Sequence, residues 1–140
     1  MGCAWLIKHF IDQDALFYFV AGSELTAKAA ELQATAFHTE GVPLTRHGNV
    51  SSFEVVMQHY QLDSNPALVL LGKIVNTADI ATSPYQQPEG YGLRAIADGL
   101  VLRSSSDEER NLAGFAIYDA LYAYCQEMVR RGKPEGAWKE

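Results

Sequence analysis

At 140 residues the chain has room for one domain with one sizeable hydrophobic core, and a core of that size needs no disulfide or structural metal to hold it. A composition of 48% hydrophobic, 11% aromatic and 20% charged residues excludes disorder, and a net charge of -6 with scattered Lys and Arg argues against nucleic acid as a partner for this chain alone. Cys3 and Cys125 lie far apart without Cys-x-x-Cys spacing, which excludes a disulfide framework, and the apolar run 3–11 is broken by Lys8 and His9 and too short to span a bilayer. A cytoplasmic protein with no membrane partner is therefore expected.

Taken in chain order, residues 4–11 read as a short helix offering Trp5, Leu6 and Phe10 for packing. Residues 15–20, Ala-Leu-Phe-Tyr-Phe-Val, form the strongest strand pattern in the sequence and are stopped by Gly22. Ser23 can cap a helix over 25–34 with Leu25, Ala29 and Leu32 on one stripe, and 35–39 reads as a second strand beside the first. A loop holding Pro43 and Gly48 follows. The rest reads as helices: one opened by Ser51, one by the N-cap and N1 pair Asn65 and Pro66 running to about Asp79, one after Pro88, and a long last helix from the capping box at Ser106 and Glu109 to about Arg131. The fold class expected is mainly α, of the α+β kind, with five or six helices and a small two-stranded β element near the N-terminus. Residues 1–131 should form the domain, with a frayed tail over 132–140. Trp5, Phe17, Phe53, Leu71, Phe115 and Tyr122 are the core residues expected.

Several of these stretches, in this order, resemble the C-terminal domain of ChrB-type chromate-resistance proteins: Cys3-Ala-Trp-Leu-Ile7, Phe10-Ile-Asp12, His47-Gly48 before Ser52-Phe-Glu54, Ile74-Val75 before Ala78-Asp79, Gly92-Leu93, and the run 118–125 from Tyr118 to Cys125. The ordered set spans nearly the whole chain and is far more specific than any one short pattern. The resemblance implies an association with chromate resistance, and longer relatives that are chromate-responsive regulators with a DNA-binding-like region ahead of this domain. Relatives carry more sequence before the Trp-Leu-Ile motif, so this chain is expected to be a minimal or truncated version. They also carry a cysteine where this sequence has Ser52, which removes a thiolate from consideration there.

At the motif positions, His47, Glu54 and Asp79 combine an imidazole with two carboxylates, a ligand set that suits a divalent transition metal (Zn, Mn or Fe) and leaves positions open for an oxyanion or water. Glu54 has a competing structural reading, because Ser51-Ser-Phe-Glu54 is itself a capping box. Asp79 falls at the edge of the apolar stripe of Leu71, Val75 and Ala78, and Asp119 within a stripe formed by Leu112, Phe115, Ala116, Tyr122 and Ala123. A carboxylate facing a core is costly unless paired, hydrogen-bonded or bound to metal, so both are candidates for a site, with capping or a buried ion pair as the alternative. Ser52 and Tyr122 are expected to line or support the same pocket as Asp119. Lys8 and Arg46, with His9 and Arg94 in neighbouring motif segments, are the donors available to a tetrahedral dianion.

Three functions remain open on these residues: a pocket binding a metal, a small oxyanion such as chromate, or both, with metal-assisted chemistry; a non-catalytic chromate-responsive sensor; and a structural interaction domain. A homodimer or a regulatory protein partner fits the second and third. No phosphate-cradling glycine loop or nucleophile-base spacing supports nucleotide or hydrolytic chemistry.

Overall fold

The computed structural model describes residues 1–137, which form six α-helices and one turn of 3-10 helix. These are α1 (Gly2–Phe10), the 3-10 turn Gly22–Glu24 running into α2 (Leu25–Leu32), α3 (Ser52–His59), α4 (Pro66–Asp79), α5 (Pro88–Arg103) and α6 (Asp107–Arg130). Among the described residues no helix is long and apolar enough to cross a membrane.

The central helix is α4, which packs on α3, α5 and α6, while α1 lies against α3 and α6. Leu68, Leu70, Leu71, Ile74 and Val75 of α4 are at most 1% exposed. A helix covered on most of its sides has no need of a single apolar stripe, and at roughly 1.5–3 kcal/mol for each fully buried aliphatic side chain these five dominate the core. Trp5, Leu6, Phe53 and Val56 from α1 and α3, and Tyr118, Cys125 and Met128 from α6, complete it. Of the six core residues expected, Trp5, Phe53 and Leu71 are buried, Phe115 and Tyr122 pack at its edge, and Phe17 is half-buried with its ring 6.3 Å from Phe37. Close approach of α4 and α5 requires glycine at position 90, where a Cβ would stand 2.7 Å from the Ile74 carbonyl oxygen.

Local capping chemistry sets the helix starts. Ser51 and Glu54 form the reciprocal box of α3. Asn65 Oδ1 accepts from the N–H groups of Ala67 and Leu68 at 3.1 and 3.2 Å, with Pro66 at the first helical position. Ser106 Oγ accepts from Glu109 N–H, but the Glu109 carboxylate reaches back to the N–H and hydroxyl of Ser105, one residue earlier than a capping box requires.

The expected two-stranded element does not form. Residues 15–20 and 35–39 do not pair with each other; among the described residues the β-type contacts are two isolated bridges, parallel between Phe37 and Leu44 and antiparallel between His47 and Val50. A strand pattern records a preference for a pleated, half-buried surface, while pairing needs a partner at the right distance. Here α2 ends at Gln33 in the left-handed conformation and buries none of its residues, and an apolar cavity of about 290 Å³ remains beneath it. Past α6 the chain folds back, with Lys73 Nζ 2.8 Å from the Glu135 carboxylate and Ala137 N–H donating to Tyr124 Oη at 3.1 Å. The end of the expected tail, residues 138–140, lies outside the described residues.

Candidate functional site

Asp79, the last residue of α4, opens on a cleft of about 350 Å³ between α1, the end of α4, α5, the start of α6 and the segments 17–20 and 37–39. Solvent reaches the carboxylate through the cleft, yet protein surrounds it on most sides, and this partial desolvation pushes the carboxyl above the usual carboxylate range against the attraction of His38, Arg94 and Arg46. His38 faces the same cleft from a left-handed backbone conformation (φ 57°) that a non-glycine residue adopts only when its surroundings hold it there. Its own N–H donates to the Leu44 carbonyl at 2.7 Å, and burial lowers its imidazole pKa.

Two more polar side chains line this cleft from α6. Asn111 is 9% exposed and Tyr118 5%, and neither side chain has a hydrogen-bond partner among the described residues. Seven residues apart, they lie on one face of the helix. Burial holds the Tyr118 hydroxyl protonated, and it raises the Cys3 thiol to about 12, so Cys3 presents a neutral S–H and no nucleophile. Asp107, also at the cleft, is paired with Arg110 at 2.7 Å. The cleft thus gathers His38, Asp79, Asn111 and Tyr118, none of whose polar side-chain atoms has a hydrogen-bond partner among the described residues.

The other predicted residues fall elsewhere. Glu54 is 8% exposed and its Oε2 accepts from the Ser51 N–H at 2.7 Å, the Ser51 hydroxyl at 2.8 Å and Asn76 Nδ2 at 2.6 Å, while Tyr85 also hydrogen-bonds the carboxylate. Its structural reading holds, extended into a buried knot between α3 and α4. His47 is exposed, in a tight turn whose backbone pairs with Val50 around Gly48. Among the described residues no three His, Cys, Asp or Glu side chains are placed to hold a metal, so His47, Glu54 and Asp79 do not form the expected ligand set.

Ser52 is buried in the first turn of α3, away from the cleft lining. Tyr122 accepts from Asn65 Nδ2 at 3.1 Å and packs on Trp5 and Phe10. Asp119 is exposed rather than buried: it accepts from Trp5 Nε1 at 2.8 Å and lies 3.2 Å from His9 Nε2 at the rim between α1 and α6. The buried face of α6 instead carries Asn111, Gly114, Tyr118, Cys125 and Met128, and Leu112 is 75% exposed. Lys8 Nζ is engaged by the Ala15 carbonyl at 3.1 Å, Arg94 pairs with Asp98, and Arg46 is exposed and acts on Asp79 through its charge.

The ChrB C-terminal domain family matches residues 1–125. The chain belongs to that family. Membership implies an association with chromate resistance, as the motifs suggested. The chain is also 27% identical to Protein ChrB of Cupriavidus metallidurans over 131 residues, a match covering 94% of this chain and 39% of that protein, so it spans about two fifths of its relative's length. No solved structure matches it.

Within this ChrB C-terminal domain, sequence reasoning placed Asp79 and missed its three neighbours. Asn111 carried a usable signal, an amide on the same helical face as Tyr118 and Cys125, but the stripe drawn through Leu112 and Phe115 hid it. Tyr118 stood in a motif and looked like packing. His38 had no local signal, because its position depends on a loop whose path is set by distant contacts.

Proposed function

We propose that the cleft at Asp79 is a pocket for a small oxyanion, and that the chain serves as the sensing module of a chromate-responsive protein. One observation carries this reading: Asn111 and Tyr118, largely buried as residues, line the cleft beside Asp79 and His38 with polar groups that water reaches and that no protein group engages among the described residues. Such groups are hydrated in the open cleft, and a ligand oxygen that accepts from them replaces that water without breaking any bond within the protein. The donors are the Tyr118 hydroxyl, the Asn111 amide and the His38 ring N–H. Arg46 and Arg94 add positive potential from outside the cleft. Sensing then requires only that the ligand bind one state of the domain better than another.

Calorimetric titration with chromate, with sulfate in a parallel series, tests the reading. Wild type should bind chromate and melt at a higher temperature in its presence. Tyr118→Phe should bind at least about fivefold more weakly while matching or exceeding wild-type stability, because the hydroxyl it removes has no protein partner. Chromate that binds neither protein, or both equally, would overturn it.

A further inference from the structure

The cleft at Asp79 is larger than a bare oxyanion needs, and its walls differ in kind. Its volume of about 350 Å³ is room for roughly ten waters at about 30 Å³ each, whereas a tetrahedral ion has only four oxygens to place. The polar wall belongs to the helical body: Asp79 ends α4, Asn111 and Tyr118 stand on α6, and His38 lies beside Asp79. The other wall is apolar and is shared with the cavity under α2. Phe17, Val20, Leu25 and Phe37 line both spaces, while Phe19 lines the cleft alone and is 41% exposed there. The rings of Phe17 and Phe37 meet edge to face at 6.3 Å, so this wall presents aromatic surface. A few polar groups facing a larger apolar wall is the pattern of a site for a small organic molecule, in which the polar groups fix the orientation of one end.

We propose, on the reading of the cleft as an oxyanion pocket, that its full ligand is an organic oxyanion: a singly charged head, such as a sulfonate or carboxylate, on an aromatic body that lies against Phe17, Phe19 and Phe37. The head takes the donors of Tyr118, Asn111 and His38. Those donors stand beside the Asp79 carboxylate, which repels each further negative charge on the ligand, so a single charge suits the site better than two. The body removes apolar area from water on both partners and supplies the attraction that a head held by neutral donors lacks. Chromate, as a bare ion, uses the polar wall alone and leaves Phe19 wet.

Calorimetric titration of the full chain with benzenesulfonate and methanesulfonate, which share a head and differ in the body, tests the proposal alongside the chromate series. Wild type should bind benzenesulfonate at least about tenfold more tightly than methanesulfonate. Phe19→Ala changes a side chain outside the core, so its helical circular dichroism should match wild type, and the preference for the aromatic body should fall at least about fivefold. Tyr118→Phe should weaken both sulfonates, which sets binding in the cleft apart from entry of the ring into the cavity under α2. Chromate bound while benzenesulfonate is held no more tightly than methanesulfonate overturns the proposal and leaves the oxyanion pocket standing. A preference that survives Phe19→Ala, or benzenesulfonate binding indifferent to Tyr118→Phe, overturns it too. Failure of chromate and both sulfonates to bind removes the proposal and the oxyanion pocket together.

Discussion

Asn76 and Asp79 lie one turn apart on α4, and the polar groups around them have opposite fates. At Asn76 the side chain binds Glu54 and the Asn49 carbonyl, Glu54 binds Ser51 and Tyr85, and Asn76 Oδ1 alone in that knot is left without a partner among the described residues. At Asp79 four polar side chains meet in a cleft with no such bonds made. Residue type does not separate the two regions, since each is built on a carboxylate from a family motif. Saturation does: a knot whose bonds are made holds elements together, and a cleft whose bonds are unmade is ready for something else.

The largest effect expected from breaking this contrast is in the knot. Glu54→Ala removes half of the α3 capping box and strands the Ser51 N–H and one of the two Asn76 amide N–H groups in a buried site, the other keeping the Asn49 carbonyl. At about 1–3 kcal/mol for each buried group left unsatisfied, the loss should be about 3 kcal/mol or more. Urea unfolding measures it. A loss below about 1 kcal/mol would mean that water replaces the carboxylate and that the two regions differ less than their bonding suggests.

The same kind of change in the cleft should go the other way. A carboxyl whose folded pKa is raised contributes stability that is fully present below its ordinary value of 3.8 and lost as pH rises through the folded value. At neutral pH the Asp79 charge is therefore a net cost, and Asp79→Asn should match wild type or exceed it by up to about 1 kcal/mol, a small figure because cleft water screens the group. Its advantage should fade on acidification and vanish below the ordinary carboxylate range. Melting curves at a series of pH values decide this, and a clear destabilisation at neutral pH would place Asp79 in an unrecognised structural bond.

These outcomes follow from how unevenly the structure could be read in advance. Helix starts were legible at Ser51, Asn65 with Pro66, and Ser106, because a cap is a contact between residues two or three apart. The inward face of α6 was not: that helix touches α1, α4 and α5 on different sides, so no single apolar stripe describes it, and Asp119 was assigned to the wrong side. The sheet failed for a related reason, since the strand pattern of residues 15–20 is local and a pairing partner is not. Asp79 was legible through its edge position on the stripe of α4. His38 was not, because it meets that carboxylate only after the loop from Gln33 to Leu44 has taken its path.

The smallest effect concerns His47, and it sharpens the comparison by testing whether a third region belongs with either of the other two. Its ring is exposed in the turn before α3, and its backbone, rather than its side chain, makes the pairing with Val50. His47→Ala should therefore change stability by less than about 0.5 kcal/mol, the range of a surface substitution away from any special contact. A metal held jointly by His47, Glu54 and Asp79 would need three side chains to converge, but Glu54 is occupied in the knot, Asp79 faces the cleft and His47 faces solvent. Wild type and His47→Ala, purified without an affinity tag and dialysed against Zn, Mn or Fe, should then show the same metal content by plasma emission. Stoichiometric metal present in wild type and absent from the variant would mean that the turn at Gly48 swings His47 inward when metal binds, and that the knot at Glu54 opens to receive it.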